Sequence, residues 1–185
     1  MSQRRVVVTG MGMVSPLGND LASSWDGIVN GRSGIGPVTH FDASAYATRI
    51  AGEIRDFDPT AFLSPKDAKK MEPFIHYGLA AAFMALDDSG LEITEANAER
   101  VGAIIGSGIG GILGIEEQTA KYLEGGPRKI SPFYVPSTII NMLPGQLSII
   151  RGLKGPNFSA VSACATSNHS IGTAMRLIQH GDADV

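Results

Sequence analysis

The sequence predicts an α/β fold with a mostly parallel sheet. Three short apolar runs typical of buried strands alternate with longer segments of helical periodicity. Glycines mark most of the boundaries between these segments, and glycine accounts for 23 of the 185 residues. Strands that alternate with helices indicate parallel pairing, because two parallel neighbours in a sheet need a crossover connection.

The N-terminal third predicts a strand, a helix and an extended segment. Residues 5–10 are an apolar run that ends in a glycine loop, which is typical of a buried strand. A cap at Ser23 or Ser24 predicts a helix that continues to residue 30. A turn is expected over residues 31–37, and an extended, hairpin-like segment over residues 47–54.

The middle of the chain predicts a long helix with one break. Ser64 followed by Pro65 is a signal for a helix cap and a first turn, and helical periodicity then runs over residues 66–88. Pro73 lacks the N–H that a helix interior requires, so we expect a break or kink there. Gly90 is expected to end the helix.

The C-terminal half predicts two more strands and three helices. The strands are expected over residues 101–105 and 158–162, and the helices over residues 112–123, 137–150 and 165–180. The last helix has apolar Ile171 and Met175 on one stripe and small residues opposite, which predicts a helix buried on all sides. Gly181 is its expected cap, and residues 183–185 look like the start of another strand.

Bulk properties narrow the range of functions. The composition is that of an ordinary soluble domain, with 43% hydrophobic and 18% charged residues. A net charge of −3 gives no general attraction to nucleic acids or anionic membranes, and no stretch has the length of a transmembrane helix. The single cysteine excludes an internal disulfide and fits a reducing compartment, so we expect a cytoplasmic protein. The four histidines show no metal-ligand spacing, so no metal is expected.

Cys164, the single cysteine, lies where a predicted strand becomes a predicted helix. A thiol at that place is close to the unpaired N–H groups and the positive end of the helix dipole. Both favour the thiolate, which is the nucleophilic form of cysteine. The residue pattern alone leaves a second interpretation open, namely a buried and inert cysteine, which is common for this residue type.

The residues around Cys164 resemble the active-site segment of the beta-ketoacyl-acyl carrier protein synthases. The resemblance lies in the run SACATSNHSIG at residues 162–172 and in residues 153–157 before it. Five further segments match in the order of that family: residues 6–18, 31–35, 106–111, 131–138 and 181–185. The elongating type II synthases are the subfamily that the sequence resembles most.

This resemblance implies a thiolase-like αβαβα layered fold, built from two similar halves. The chain matches the first half, so we expect residues 1–185 to be that half, ending before its last strand, with the C-terminal half absent. The family's two catalytic histidines and its lysine belong to the second half. These 185 residues alone are therefore expected to be inactive in condensation and poorly stable, with an open sheet edge.

The activity that the resemblance implies is the decarboxylative Claisen condensation of fatty-acid elongation. An acyl group on Cys164 would react with malonyl-carrier protein to give 3-oxoacyl-carrier protein. The expected partners are acyl carrier protein and a second copy of the chain in a homodimer. No cofactor is expected beyond the phosphopantetheine on which the carrier protein holds its substrates.

The resemblance also assigns roles to five further residues. Ile109 would border the acyl-chain pocket, and Tyr134 would reach across the dimer interface towards the partner's pocket. Three lysines with i, i+3 and i+4 spacing would bind the acidic carrier protein: Lys66, Lys69 and Lys70. By spacing alone these lysines are a solvated helix face, and Tyr134 is part of a packed loop.

Other interpretations stay open at this point. Residues 106–111 fit the dinucleotide-binding pattern G-x-G-x-x-G, but no second strand ends in an acidic residue at the required distance. His169 follows Cys164 by five residues in the same predicted helix, so we interpret it as structural and pointing away from the thiol. Another condensing enzyme of this fold, such as a polyketide ketosynthase or a thiolase, and a non-catalytic partner subunit are the alternative functions.

Overall fold

A computed structural model describes residues 4–185. Within that range the chain forms seven α-helices and four short strands. In chain order they are α1 (Leu21–Val29), β1 (Ile35–Pro37), β2 (Ile50–Gly52), α2 (Pro65–Ala68), α3 (Pro73–Ser89), β3 (Ala103–Ile104), α4 (Ile112–Gly125), α5 (Tyr134–Thr138), α6 (Met142–Arg151), β4 (Asn157–Phe158) and α7 (Thr166–His180). The predicted mixture of helices and strands is therefore present.

The strands form two pairs of opposite type. β1 and β2 are antiparallel, with Gly36 opposite Ala51. The extended segment expected over residues 47–54 therefore contains a strand, β2, but its partner is β1, which lies at the end of the turn predicted over residues 31–37. β3 and β4 are parallel, with Ile104 opposite Phe158. β3 lies inside the strand expected over residues 101–105, but it has only two residues. β4 begins one residue before the strand expected over residues 158–162 and shares only Phe158 with it, so most of that prediction is wrong.

The strand predicted over residues 5–10 is wrong for the described chain. Val7 and Val8 are 63% and 77% exposed, and within residues 4–185 no strand pairs with this segment. A strand needs a neighbour for its N–H and C=O groups, so an apolar run without one stays irregular. The segment lies against α3 instead: a Cβ on Gly10 would overlap the carbonyl oxygen of Ala85.

The break in the long predicted helix is confirmed. Ser64 caps α2 by accepting a hydrogen bond from the Asp67 N–H at 3.1 Å. α2 ends at Ala68, and α3 begins with Pro73. Proline lacks a backbone N–H, but at the first position of a helix this costs no hydrogen bond, because that N–H would have no partner within the helix. Gly90 ends α3 in the left-handed conformation, with φ of 65°.

The start of α1 differs from the prediction because another residue caps it. The Asp20 carboxylate accepts a hydrogen bond from the Ser23 N–H at 2.7 Å, so the helix begins at Leu21, three or four residues earlier than a cap at Ser23 or Ser24 would allow. Ser24 is fully buried, and its hydroxyl donates to the carbonyl oxygen of Gly18 at 3.1 Å. The predicted cap serine therefore fastens α1 to the preceding loop.

The core lies between α3 and α6. Ile75 and Leu79 on α3 have no exposed surface, and Leu143 and Leu147 on α6 pack with them. The two helices come close at Gly78, where an added Cβ would stand 2.5 Å from a methyl group of Leu143. Burying a side chain of this kind contributes roughly 1.5–3 kcal/mol, so this contact anchors the part of the fold that carries the site.

The prediction that α7 is buried on all sides is wrong for residues 4–185. Ile171 is 68% exposed, whereas Thr166 and Ser170 are buried. α7 contacts β3, and Ala174 and Leu177 line a small cavity together with Ile104 of that strand. The Gly181 cap is confirmed, with φ of 85°.

The segment after α7 runs beside Arg100 without forming a strand. The N–H groups of Asp184 and Val185 both donate to the carbonyl oxygen of Arg100, at 2.8 and 3.2 Å. The Gly102 N–H donates to the carbonyl oxygen of Val185 at 2.8 Å. The predicted strand start is thus held in place by strand-like hydrogen bonds. None of the helices in residues 4–185 combines the length and the hydropathy that a membrane-spanning helix requires.

Candidate active site

Cys164 lies in the middle of a one-turn 3₁₀ segment, residues 163–165, which leads directly into α7. The thiol is exposed. The Ala165 N–H donates to the carbonyl oxygen of Ser162 at 3.0 Å, whereas the Cys164 N–H has no hydrogen-bond acceptor within residues 4–185. The turn therefore presents both a nucleophilic atom and a free backbone donor at the positive end of a 15-residue helix.

The residue before Cys164 has a strained backbone. Ala163 has a φ of 49°, one of two positive values found for non-glycine residues in the described chain. A left-handed backbone costs a residue with a Cβ roughly 1–2 kcal/mol. Such a conformation persists only where its surroundings determine it, and it is frequent at functional sites.

Thr166 and Ser162 hold the turn from both sides of Cys164. The Thr166 hydroxyl accepts from the Ser162 N–H at 2.9 Å and donates to the carbonyl oxygen of Ala163 at 2.8 Å. The Ser162 hydroxyl is within hydrogen-bond distance of Nδ1 of His169, one turn further along α7. Thr166 is only 4% exposed, so the turn is anchored in the protein interior while the Cys164 thiol stays at the surface.

The glycine loop of residues 106–111 lies against this turn. A Cβ on Gly106 would overlap the carbonyl oxygen of Ala160 and the methyl group of Thr166. A Cβ on Gly108 would stand 3.7 Å from the carbonyl oxygen of Ala163. The space at Gly106 is thus filled by the chain's own backbone, and the loop acts here as a close packing partner of the cysteine turn.

Ile109 is carried by the same loop. The Ser107 hydroxyl accepts from the Gly110 N–H at 2.9 Å, and Gly110 has a φ of 77°. Gly110 also lies close to the carbonyl oxygen of Thr138 at the end of α5. Ile109 is therefore fixed between the cysteine turn and α5, and its side chain is 68% exposed.

Tyr134 is the first residue of α5 and faces α4. It lines a cavity of about 290 Å³ together with Gln118, Thr119, Tyr122 and Ile130. Neither Cys164 nor Ile109 lines that cavity. Within one copy of the described chain, the structure thus brings Ile109 near the cysteine turn but does not place Tyr134 in a common cavity with it.

The three predicted docking lysines do not form one helix face, which corrects the prediction. α2 ends at Ala68, so Lys69 is already its C-terminal cap and Lys70 lies in the following turn. Lys66 and Lys69 are exposed. Lys70 is half-buried: its Nζ atom lies 3.1 Å from Asp67 Oδ1 and 5.8 Å from the centre of the Phe133 ring.

A pair of acidic residues lies beside these lysines. Glu72 and Glu117 line a cavity of about 230 Å³ that Lys69, Lys70 and Lys121 also line. Burial, and then the negative charge of Glu117, raise the pKa of the Glu72 carboxyl above its usual value. Glu72 was not singled out from the sequence. Its carboxylate lies against Gly114 of α4, and Glu72 follows shortly after Lys69 and Lys70 in the chain.

The family model named "Beta-ketoacyl synthase, N-terminal domain" matches residues 3–185. The chain belongs to the beta-ketoacyl synthase family. Its resemblance to that family, inferred above from short segments, is therefore confirmed over almost the whole sequence.

Curated relatives of this beta-ketoacyl synthase chain have a consistent name. Proteins of Vibrio harveyi and Coxiella burnetii are 59% and 53% identical over 184 residues, and both are named "3-oxoacyl-[acyl-carrier-protein] synthase 2". A protein of Staphylococcus aureus with the same name is 44% identical over 185 residues. The chain spans less than half of their length: 44% of the first two and 45% of the third.

Solved structures agree on the fold. "The ishigamide ketosynthase/chain length factor" has a TM-score of 0.84 at 30% identity, with 98% of this chain and 46% of that chain covered. A type II polyketide ketosynthase solved with its acyl-carrier protein has a TM-score of 0.80 at 26% identity, covering 98% of this chain and 49% of that one. The thiolase-like fold expected for the beta-ketoacyl synthase family is confirmed for the first half that this chain covers.

The hydrogen bonds of Ser162 and Thr166 were not predicted from the sequence. The run SACATSNHS does contain a signal for them, since residues 162, 166 and 169 have i, i+4 and i, i+7 spacing and so can meet on one side of a helix start. The sequence predicts a structural role for His169, and the structure shows which residue it contacts: Ser162, two positions before the nucleophile candidate.

Proposed function

We propose that the whole protein is a condensing enzyme of fatty-acid elongation. It would join an acyl group held on Cys164 to malonyl-carrier protein and release a 3-oxoacyl-carrier protein that is two carbons longer. The observation that carries this proposal is the exposed Cys164 in a strained turn at the start of α7, with its own N–H free. The names of the curated relatives support the choice of reaction.

The first step is acyl transfer to the cysteine. The Cys164 thiolate attacks the carbonyl carbon of an acyl-phosphopantetheine thioester, and a new carbon–sulfur bond forms. The old carbon–sulfur bond breaks, and the phosphopantetheine sulfur leaves as a thiolate and takes up a proton. The free N–H of Cys164 can donate to the negative oxygen of the tetrahedral intermediate, which would make it one half of an oxyanion hole.

The second step forms the carbon–carbon bond. The malonyl group loses its carboxylate as carbon dioxide, and the electron pair of the broken bond moves to an enolate on the remaining two carbons. The enolate carbon attacks the acyl thioester on Cys164, and the Cys164 thiolate leaves again. The positive end of α7 favours that departing negative charge. No cofactor is required in this scheme beyond the carrier's phosphopantetheine.

The function is tested on the whole protein with acyl-carrier protein and malonyl-carrier protein. We expect peptide mass spectrometry to find the acyl group on Cys164 and the product assay to find 3-oxoacyl-carrier protein. Cys164→Ala should abolish both. Cys164→Ser, which keeps the volume but removes the thiolate, should abolish condensation as well. Product formation by the alanine variant would disprove the proposal.

The lysines of α2 and the turn after it are the proposed docking surface for acyl carrier protein. Lys66 and Lys69 are exposed cations and so can meet acidic groups of a partner. Lys70 is already paired with Asp67, which reduces its contribution. The polyketide ketosynthase complexed with its own carrier protein shows that a protein of this fold can bind such a partner.

Ile109 and Tyr134 are the proposed determinants of the acyl pocket. Ile109 is supported by its loop, which packs directly against the cysteine turn. Tyr134 would act on the pocket of a second copy in a homodimer, since its own chain places it beside α4 and away from Cys164. Measuring the acyl-chain profile of Tyr134→Ala together with the oligomeric state would separate a pocket role from a role in dimer formation.

A polyketide ketosynthase is the second candidate. The type II polyketide ketosynthase and the ishigamide ketosynthase are 26% and 30% identical to this chain, against 44–59% for the relatives named 3-oxoacyl-[acyl-carrier-protein] synthase 2. The product distinguishes the two: a polyketide enzyme extends unreduced 3-oxoacyl chains, and a fatty-acid enzyme extends saturated ones. A preference for acetyl-coenzyme A over malonyl-carrier protein as the donor would instead indicate a thiolase.

A further inference from the structure

We propose that Ser162 and His169 form a positioning pair that holds Cys164 in its reactive orientation. This inference rests on the proposed role of Cys164 as the acylated nucleophile. It assigns to His169 a task in the reaction without direct contact with the reacting atoms. The pair would act through the backbone of the strained turn.

The first observation is the pattern of hydrogen bonds around the turn. Ser162 is held at two groups: its N–H donates to the Thr166 hydroxyl at 2.9 Å, and its own hydroxyl meets Nδ1 of His169. Ala163 is held at its carbonyl oxygen by the Thr166 hydroxyl at 2.8 Å. Both residues that immediately precede Cys164 are therefore tied to the first turn of α7.

The second observation is the backbone conformation that these bonds enclose. Ala163 has a φ of 49°, which a residue with a Cβ avoids unless its neighbours impose it. Thr166 restrains Ala163 on the side of the protein interior, because Thr166 is buried and packed against Gly106. His169 is exposed and reaches back to Ser162, so it restrains the turn on the solvent side.

The chemistry of the pair suits a positioning role. In the neutral imidazole with its proton on Nε2, Nδ1 accepts the hydrogen bond of the Ser162 hydroxyl. Loss of that bond would free the Ser162 side chain and leave Ala163 with one restraint fewer. The Cys164 sulfur and the Cys164 N–H would then spread over more orientations, and a small misplacement of a nucleophile is costly for the rate.

The experiment uses four variants of the whole protein: Ser162→Ala, His169→Ala, the double variant and His169→Asn. Single-turnover transfer from acyl-carrier protein to Cys164 is measured by intact mass. We expect each alanine variant to lower the maximal rate about ten-fold, and the double variant to lose no more than either single one, as expected for two halves of one interaction. The concentration of acyl-carrier protein at half-maximal rate should stay unchanged.

His169→Asn provides the rescue, because its amide places an acceptor where Nδ1 stood, and it should keep the rate within about three-fold of the parent. His180→Ala, at the other end of α7, is the matched control and should keep the full rate. Additive losses in the double variant, or an asparagine variant as slow as the alanine variant, would overturn the proposal.

Two results separate this inference from the proposed function. If the parent protein does not acylate Cys164 at all, the proposed function fails. If the parent acylates Cys164 and all four variants match its rate, only the positioning pair fails. Melting temperatures of the variants complete the test: a loss of rate that follows a loss of stability across all of them would also count against positioning.

Discussion

Asp184 and Arg100 form a two-point ion pair that fastens the segment after α7 to the rest of the chain. Nε of Arg100 donates to Oδ2 of Asp184, and Nη2 donates to Oδ1, both at 3.0 Å. Arg4 adds a third hydrogen bond, from Nη1 to Oδ1 at 2.8 Å. The hydrogen bonds from Arg100, followed by that from Arg4, lower the pKa of the Asp184 carboxyl from 3.8 to about 2.

This shift predicts how stability depends on pH. The Asp184 carboxyl has a lower pKa in the folded state than in the unfolded state, so its ionised form stabilises the fold. This contribution to the free energy of unfolding is complete above the unfolded-state pKa of 3.8 and is lost as the pH falls through about 2. Asp184→Asn should therefore lower the melting temperature at neutral pH, and the difference from the parent should shrink in that acidic window. Thermal melts of the whole protein over a pH series measure it.

Asp182→Asn is the matched control for this prediction. Asp182 is exposed and close in sequence, but only its backbone oxygen accepts from Arg100. Its replacement should leave the melting temperature almost unchanged at every pH. A constant difference between the parent and Asp184→Asn down to the lowest pH would show that the carboxylate charge is not the cause.

Gly106→Ala should disturb the cysteine turn. The new Cβ would overlap both the carbonyl oxygen of Ala160 and the methyl group of Thr166, so both must move or the glycine loop must shift away from the turn. We expect a loss of about 1–3 kcal/mol in unfolding free energy, with slower acylation of Cys164. Gly145→Ala on α6 is the control, since its Cβ meets nothing within 4 Å. Unchanged acylation in Gly106→Ala would contradict the close packing of loop and turn.

Replacing Lys66, Lys69 and Lys70 together by glutamate should raise the KM for acyl carrier protein several-fold and weaken its dependence on salt. Lys66 and Lys69 should account for most of the effect, because Asp67 already neutralises Lys70. Lys154→Glu, in the exposed loop between α6 and β4, is the control for net charge. The docking proposal fails if the KM stays the same in the triple variant.

Ile109→Phe should shorten the longest acyl chain that the whole protein accepts. In the acyl pocket proposed above, the larger ring would take up volume beside the cysteine turn that a long acyl chain needs. Competition between acyl-carrier proteins of graded chain length measures the limit. Ile28→Phe, on the exposed side of α1, is the control for a change of size at a distant isoleucine. An unaltered chain-length profile would remove Ile109 from the pocket.

The helices of the central region could be predicted because their signals are local. Ser64, Pro73 and Gly90 each act through their own backbone geometry, so α2 and α3 begin and end close to the predicted residues. The strand expected over residues 5–10 depends on a distant neighbour to pair with. An apolar run carries no information about that neighbour, and the prediction was wrong for this reason.

The candidate site also has features that the local sequence predicts and features that it does not. Cys164 and its place before a helix follow from the local sequence, as do the glycines that let a loop approach. The left-handed Ala163 does not, because alanine gives no local signal for a positive φ. That conformation arises from contacts with Thr166 and with the loop at Gly106, which only the folded chain brings together.

The approach of the glycine loop to the cysteine turn has a consequence for the order of folding. The Ser159 hydroxyl donates to the carbonyl oxygen of Ile105 at 2.6 Å, across 54 residues of chain. Closing so long a loop costs conformational entropy before the contacts that stabilise it can form. The hydrogen bonds of α3, by contrast, join residues that are close in sequence. During refolding, amide protection in the cysteine turn should therefore appear after protection in α3, and Cys164 would be among the last residues described here to reach its final geometry.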